Sequence, residues 1–462
     1  SYSGYGQAMV SYRDFLYYTF TGRNDWSSTL PEKNNSYFYS SNSLGLIFSE
    51  LLDMPFLDYG KARASYASVG NDAPAYSIYT LSYVADAYGG AGIPSLQYPY
   101  GGVGSYLEGT SAGNIDLKNE QTNEIELGLE LKMLNNRLGF EGNIYNKISL
   151  DQILPANTTL TTGYSSVLMN IGKISNKGIE LSLSGTPVKT NNFSWDINLN
   201  WYKNRSLVEK IADGVPSIDL GGNTSIVEGE PYAVFRGSKY VRDENGNKIV
   251  DDDPSSSTYG YYLIDWSTDN ILGTNEPDFS GGVRNTFTYK NLSLSAFFDF
   301  RVGSVISSGT DYYLLYYGMA VRQEDRPENN IIVHDGVMGH YDASNNLVLS
   351  GQQNTIESEY QRGWQWYYGY VTEESIQSGD FLKLRDVSLS YTLPKKYFSN
   401  INWIDNINLT AQGRNLLRIY AADFSGSDPE VNQNGTGNAQ GWSTYMMPDT
   451  RSYSFGVSVT FK

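Results

Sequence analysis

Glu124-Ile125-Glu126-Leu127-Gly128-Leu129-Glu130-Leu131-Lys132-Met133 decides how this chain folds. Ile125, Leu127, Leu129, Leu131 and Met133 alternate strictly with Glu124, Glu126, Gly128, Glu130 and Lys132. Side chains on a strand point to opposite faces in turn, so the segment has one apolar face and one charged face. The last strand repeats the pattern: Phe455, Val457, Val459 and Phe461 alternate with Ser454, Gly456, Ser458 and Thr460. A soluble sandwich turns such apolar faces into a core. A transmembrane barrel turns them outward to lipid and keeps the polar face around a wet interior.

Composition favours the second arrangement. The 462 residues include 39 Tyr and 8 Trp, side chains with an apolar body and a polar tip that suit a water–lipid boundary. No window approaches the run of about 18 apolar residues that a membrane helix needs. A membrane-embedded version of this chain is therefore a closed barrel, because open sheet edges cannot face lipid. The net charge of −17 argues against nucleic acid as a partner, which needs a basic stripe. The chain has no cysteine, which rules out disulfides and thiolate chemistry and fits an oxidising envelope compartment. No signal peptide begins at Ser1, so for an exported barrel that segment has been processed away or lies outside this chain.

Alternation recurs in pairs joined by short turns. Tyr5–Ser11 and Phe15–Arg23 flank Tyr12-Arg13-Asp14, and Phe38–Phe48 precedes Tyr59–Val69. Glu124–Met133 and Arg137–Lys147 flank Leu134-Asn135-Asn136, a hairpin signal. Ile174–Gly185 pairs with Phe193–Lys203, Phe279–Tyr289 with Leu292–Arg301, and Phe381–Leu393 with Ile407–Leu416; Arg451–Phe461 closes the series. The result is roughly thirteen strands of about ten residues, the length of a tilted membrane-spanning strand. Long polar segments separate the pairs: Gly70–Thr122, Asn204–Asp278, Val302–Gly379 and Leu417–Thr450. Such connections are rare in compact soluble domains but are the extracellular loops of an outer-membrane barrel.

Direction follows from the turns. If the short turns are periplasmic, the first and last strands both run inward, and the count is odd. Single-chain bacterial barrels have even counts, so this series is expected to be part of a barrel with strands preceding Ser1. Tyr76–Val84 and Ala233–Val241 also look extended, but counting them as spans breaks the up–down order, so both belong in loops. The lipid faces are consistent: Trp195, Ile197, Leu199 and Trp201 oppose Asp196, Asn198, Asn200 and Tyr202, and Val387, Leu389 and Tyr391 oppose Asp386, Ser388 and Ser390.

Five segments then carry a family resemblance. They are Asn170-Ile171-Gly172-Lys173-Ile174-Ser175-Asn176-Lys177-Gly178-Ile179-Glu180, Gly379-Asp380-Phe381-Leu382-Lys383-Leu384-Arg385-Asp386-Val387-Ser388-Leu389-Ser390-Tyr391, Gln412-Gly413-Arg414-Asn415-Leu416-Leu417, Ser427-Asp428-Pro429-Glu430-Val431-Asn432 and Pro448-Asp449-Thr450-Arg451-Ser452-Tyr453. In this order, across nearly the whole chain, they resemble SusC/RagA-type TonB-dependent outer-membrane transporters of Bacteroidetes. The resemblance implies an all-β, antiparallel up-and-down barrel of about 22 strands with a plugged lumen. Residues 1–462 would then supply the C-terminal strands, with the plug and N-terminal regulatory domain outside this chain. It further implies a SusD-like surface lipoprotein over the loops, TonB acting through the plug, membrane lipid and lipopolysaccharide around the wall, and a possible dimer of transporter–lipoprotein pairs. Family members often end on an aromatic residue, whereas here Lys462 follows Phe461.

Candidate sites sit in the loops. Asp243, Asn245, Asn247, Ile249 (by its carbonyl) and Asp251 have the spacing of a Ca2+ or Mg2+ loop, but Lys248 replaces its glycine and Pro254 its final Glu. The plainer reading is a solvated acidic hairpin tip. Trp364, Trp366, Tyr367 and Tyr368, with Tyr313 and Tyr317 of the same long loop and Trp442 of the last, are candidates for stacking on sugar or contacting peptide. The alternative for each is loop packing or contact with a partner protein. Glu124, Glu126, Glu130 and Lys132 are expected to pair with neighbouring strand charges or face the plug. His334 and His340 are placed at the surface. Gly89-Gly90-Ala91-Gly92 and Gly101-Gly102-Val103-Gly104 read as turns, because no helix follows to make a phosphate cradle. No catalytic constellation stands out, so the chain is not expected to be an enzyme. The function expected is import of oligosaccharide or peptide. The alternatives are a non-transporting envelope scaffold and a soluble carbohydrate-binding protein or glycosidase, which would need polar outer faces.

Overall fold

In the computed structural model, thirteen strands form one antiparallel sheet in simple sequence order. All residues are described except 85, 86, 89–95, 100, 213, 423, 425–427 and 436, which takes the Gly89–Gly92 turn and Ser427 outside the described residues. The strands are β1 (Tyr2–Tyr12), β2 (Leu16–Trp26), β3 (Ser36–Ile47), β4 (Leu57–Asn71), β5 (Glu120–Met133), β6 (Leu138–Leu150) and β7 (Lys173–Lys189). Then follow β8 (Phe193–Lys210), β9 (Phe279–Tyr289), β10 (Leu292–Val302), β11 (Phe381–Thr392), β12 (Ile404–Tyr420) and β13 (Ser452–Phe461). Every segment read as a strand is one. The length is where expectation falls short: β7 has 17 residues and β8 has 18, well past the span needed for the hydrocarbon layer.

Contacts divide the chain into two compact units: Ser1–Ser184 with Asn204–Ile218 and Val227–Glu230, and Gly185–Lys203 with Asp219–Ile226 and Pro231–Lys462. In the first unit, register puts Leu127 opposite Ala64 and Ile144, and Glu126 opposite Ser65 and Tyr145. One face is thus apolar and the other polar across several strands. The apolar face is open: Leu127 is 48% exposed, and Ile125 and Ile144 are exposed as well. On the polar face Arg63 lies 3.6 Å from Glu126 and 3.1 Å from Glu141, the cross-strand charge pairing expected there.

The second unit repeats the arrangement. Leu294 sits opposite Phe287 and Leu389, and Leu389 opposite Ala411; Ser295 sits opposite Thr286 and Ser388, and Ser388 opposite Gln412. A soluble glycosidase needs these outward rows to be polar, and they are not, which removes that alternative.

The turns follow from local chemistry. Leu134, Asn135 and Asn136 all have φ between 57° and 59°, so the β5–β6 hairpin takes three consecutive left-handed residues, a conformation Asn tolerates. The sequences Tyr76–Val84 and Ala233–Val241 lie outside the wall, contributing only the short loop strands Ser82–Val84, Val234–Arg236 and Lys239–Tyr240.

Candidate functional site

The long loops of the second unit are folded, with a core of their own. Tyr240, Tyr261, Tyr368 and Val371 are buried together, with Tyr262, Ile264, Trp364 and Tyr367 packed around them. Tyr368 is 1% exposed. Its hydroxyl accepts a hydrogen bond from Tyr262 N–H at 3.1 Å and lies 3.0 Å from His334 Nε2. Lys248 Nζ sits 3.6 Å above the Tyr240 ring and 3.6 Å from Glu374. Glu373 accepts from Tyr240 N–H at 2.8 Å and from Arg242 Nη2 at 2.5 Å. Burial opposes its charge, yet Arg242 and the Tyr240 amide hold it below the usual carboxylate range.

This geometry sorts the aromatic candidates. Tyr368 is the centre of the loop core and cannot stack on a ligand. Trp364 packs edge-on against Tyr368 at 5.3 Å, and Tyr367 packs at a tilt against Tyr261 at 5.1 Å while its hydroxyl donates to Ser257 O at 3.1 Å. The helix α1 (Gly309–Tyr316) begins at Ser308, whose hydroxyl accepts from Asp311 N–H at 3.2 Å; α2 (Tyr360–Trp366) carries the Trp pair. Trp366, at the end of α2, is 68% exposed. Tyr317 is likewise exposed, and Tyr313 is stacked on Tyr445 at 5.2 Å with its outer face open. Trp442 is half-buried in a short strand paired in parallel with Val305–Ser308, against Gly222. Of the seven candidates, Trp366, Tyr317 and Tyr313 are therefore presented outward.

The predicted cation loop is a hairpin tip whose polar atoms are used internally. Asp243 Oδ1 accepts from the Asn245 and Asn247 amides at 2.9 and 2.8 Å, and its Oδ2 from Asn247 Nδ2 at 2.9 Å. The Ile249 carbonyl accepts from Leu263 N–H at 2.8 Å, and Asp251 accepts from Thr258 Oγ1 at 2.6 Å. Among the described residues no group of three or more His or acidic side chains is arranged to hold a metal.

His334 corrects the surface placement expected for it: it is buried, and burial beside Lys248 pushes its imidazole down to about 4. A depressed histidine favours folding above its ordinary range near 6.5 and loses that contribution as pH falls toward 4. The protection factor of the Tyr262 amide against hydrogen exchange, taken relative to the intrinsic rate at each pH, is expected to fall over that interval, with a weaker pH dependence in His334→Gln. Tyr368→Phe removes the hydroxyl and leaves buried partners unmet. It is expected to cost about 2 kcal/mol, read as a lower unfolding midpoint of the loop body. His340 is half exposed, its Nδ1 2.6 Å from Asp252.

A second assembly was not legible from spacing. On the polar face of β11, Lys383 is 0% exposed. Its Nζ lies 2.8 Å from both Asp428 oxygens and 2.5 Å from Glu430 Oε2. Tyr420 donates to Asp428 Oδ2 at 3.1 Å, and the Glu430 amide donates to Asp428 Oδ1 at 2.8 Å. Arg385 donates to Asp299 at 2.7 Å and also binds Glu430. Burial opposes the Asp428 charge, but Lys383 and the Glu430 amide hold it below the usual carboxylate range.

The first unit offers a polar recess of about 310 Å³ lined by Glu124, Glu126, Lys147, Asn176 and Glu180.

No protein-family model matches the chain. Over 99% of its length it is similar to TonB-dependent receptors P3 and P26 of Formosa agariphila, at 26% and 28% identity over 488 and 491 residues. It is also similar to TonB-dependent receptor SusC of Bacteroides thetaiotaomicron, at 24% identity. The chain spans 45%, 46% and 43% of these relatives, less than half of each. Among solved structures, the RagAB peptide importer in its closed-closed state superposes with a TM-score of 0.75 at 21% identity, covering 99% of this chain and 47% of that one. The open-open state gives 0.72. The fold is accordingly the outer-membrane barrel wall seen in the RagAB importer, and the curated relatives are named TonB-dependent receptors.

Proposed function

We propose that this stretch of barrel wall and loops is the C-terminal part of a TonB-dependent importer of oligosaccharides or peptides, acting with a SusD-like surface lipoprotein. The observation carrying the proposal is the two-faced sheet of thirteen strands, apolar and exposed on one side and polar on the other, with long loops folded into bodies of their own. The similarity to TonB-dependent receptors along 99% of the chain supports the same reading. No bond chemistry is asked of these residues: the wall and loops hold the solute, and a plug supplied by the rest of the protein releases it.

Of the seven candidate rings, Trp366, Tyr313 and Tyr317 are the exposed ones and so the ones free to meet a solute or the lipoprotein. Tyr and Trp faces suit both sugar rings and peptide. The test is uptake by cells carrying the full-length gene, its deletion, and a deletion of TonB, on oligosaccharide and on peptide mixtures. Uptake lost in both deletions supports import; uptake retained in both favours an envelope scaffold. Trp366→Ala is expected to reduce uptake severalfold with the unfolding midpoint unchanged, because the ring is exposed. An equal fall in the midpoint would instead assign Trp366 to packing.

A further inference from the structure

We infer that Lys383 and Arg385 form a carboxylate-binding seat on the polar face of β11, and that the chain's own Asp428-Pro429-Glu430 turn occupies it as an internal ligand.

The geometry is that of a bound dicarboxylate. Both Asp428 oxygens face one ammonium at 2.8 Å, Tyr420 adds a hydroxyl donor, and Glu430 bridges Lys383 and Arg385. The Phe381 ring, 4.7 Å from Lys383 Nζ, and the Tyr420 ring, at 5.5 Å, complete the walls. Such charge-assisted bonds are directional and are strongest at the buried Lys383–Asp428 pair, the Arg385–Glu430 half being partly open to solvent. The anions that meet Lys383 come from a single turn in the loop after β12, whereas the cations belong to a sheet strand. Seat and occupant are therefore on separate pieces of chain.

Charge makes the seat selective. With Asp428 and Glu430 in place, two cations face three carboxylates, the third being Asp299. With the turn withdrawn, Lys383 and Arg385 outnumber Asp299, and a buried ammonium is left without an anion. That state is costly unless another carboxylate enters. The seat therefore favours exchange of one carboxylate for another over simple opening. On the importer reading above, a solute bearing a carboxylate would displace the turn and loosen the last loop from the wall. The seat itself does not depend on that reading.

The experiment uses the full-length protein in detergent, with Asp428→Asn and Glu430→Gln combined, and sodium acetate as the probe against sodium chloride at equal ionic strength. Exposure of Lys383 is followed by amine-reactive labelling and peptide mass spectrometry. In the unaltered protein Lys383 is expected to resist labelling in either salt. In the double variant it is expected to label at least tenfold faster in chloride and to regain protection in acetate. Lys383 that stays unlabelled in the variant, or labels equally in both salts, overturns the inference and leaves a static ion pair. If the double variant fails to fold, Glu430→Gln alone opens the Arg385 half, read by phenylglyoxal modification of Arg385. Acetate protection again supports the seat, and equal modification in both salts rejects it. Neither outcome bears on uptake, so failure of the seat is separable from failure of the importer reading.

Discussion

Lys383→Met is expected to destabilise the protein by about 3–5 kcal/mol, because it strands Asp428 as an unpaired buried carboxylate. The ammonium is 0% exposed and Asp428 2% exposed, so water cannot take over as partner. Denaturant unfolding of the full protein in detergent, followed by tryptophan fluorescence, measures the loss. The diagnostic comparison is Lys383→Met with Asp428→Leu. Replacing both charges by apolar groups is expected to recover much of the stability, since a buried pair adds little net energy over a well-packed apolar contact. A double variant as unstable as the sum of the single ones would mean that the two residues do not act as a pair. Acid acts in the same direction: Asp428 and Glu430 are held below their ordinary range, so the stability they contribute is present above that range and is lost as pH falls through their folded values.

The second large effect belongs to the outward face. Leu127→Arg puts a guanidinium in the middle of β5 on its apolar side, opposite Ala64 and Ile144. In a bilayer this is expected to cost about 2–4 kcal/mol. Ser65→Arg on the polar face, opposite Glu126, is expected to stay within about 0.5 kcal/mol. Refolding into lipid vesicles across a urea series separates the two. Equal costs would mean that Leu127 does not face lipid.

The wall was legible because its rule is simple: with a period of two and one face in lipid, every strand announces itself, and all thirteen were found. Their limits were less legible: β8 runs on past Lys203 to Lys210 at its loop end, and β7 runs on past Gly185 to Lys189 at its turn end, where Pro187 interrupts the strand signal. The loops were harder. Trp364, Tyr367 and Tyr368 have the composition of a binding platform, but the same residues build a core wherever a loop is long enough to fold on itself. Only exposure separates Trp366 from Tyr368, and exposure is not written in a dipeptide. His334 was misplaced for the same reason.

The five segments that carried the family resemblance prove to be joints. Asn170 Nδ2 donates to the Lys118 and Asp151 carbonyls at 2.8 and 2.9 Å. Gly178 leaves room for Tyr145, whose ring would lie 2.2 Å from an added Cβ. Asp380 accepts from Gly303 N–H at 2.7 Å, Asn415 donates to Thr450 O at 3.0 Å, and Arg418 binds Asp449. Lys383 and Arg385 of the second segment meet Asp428 and Glu430 of the fourth. These contacts are informative about architecture, which is why the fold could be recognised from the segments while the identity of the solute could not.

The length of β7 and β8 has a mechanical consequence. Eighteen residues at about 3.4 Å each make a strand of about 60 Å, which at a tilt near 40° still rises about 45 Å, against an apolar band of about 25 Å. The surplus stands above the hydrocarbon as a stilt. On β7 the outward row changes from Leu183, Leu181 and Ile179 to Lys177 and Lys173; on β8 it changes from Trp195, Ile197, Leu199 and Trp201 to Lys203 and Arg205. The waterline is thus drawn in the sequence at Ile179 and Trp201. Beyond it the first outward residues, Lys177 and Lys203, suit the polar layer past the hydrocarbon, so both strands continue beyond the apolar band instead of ending at it.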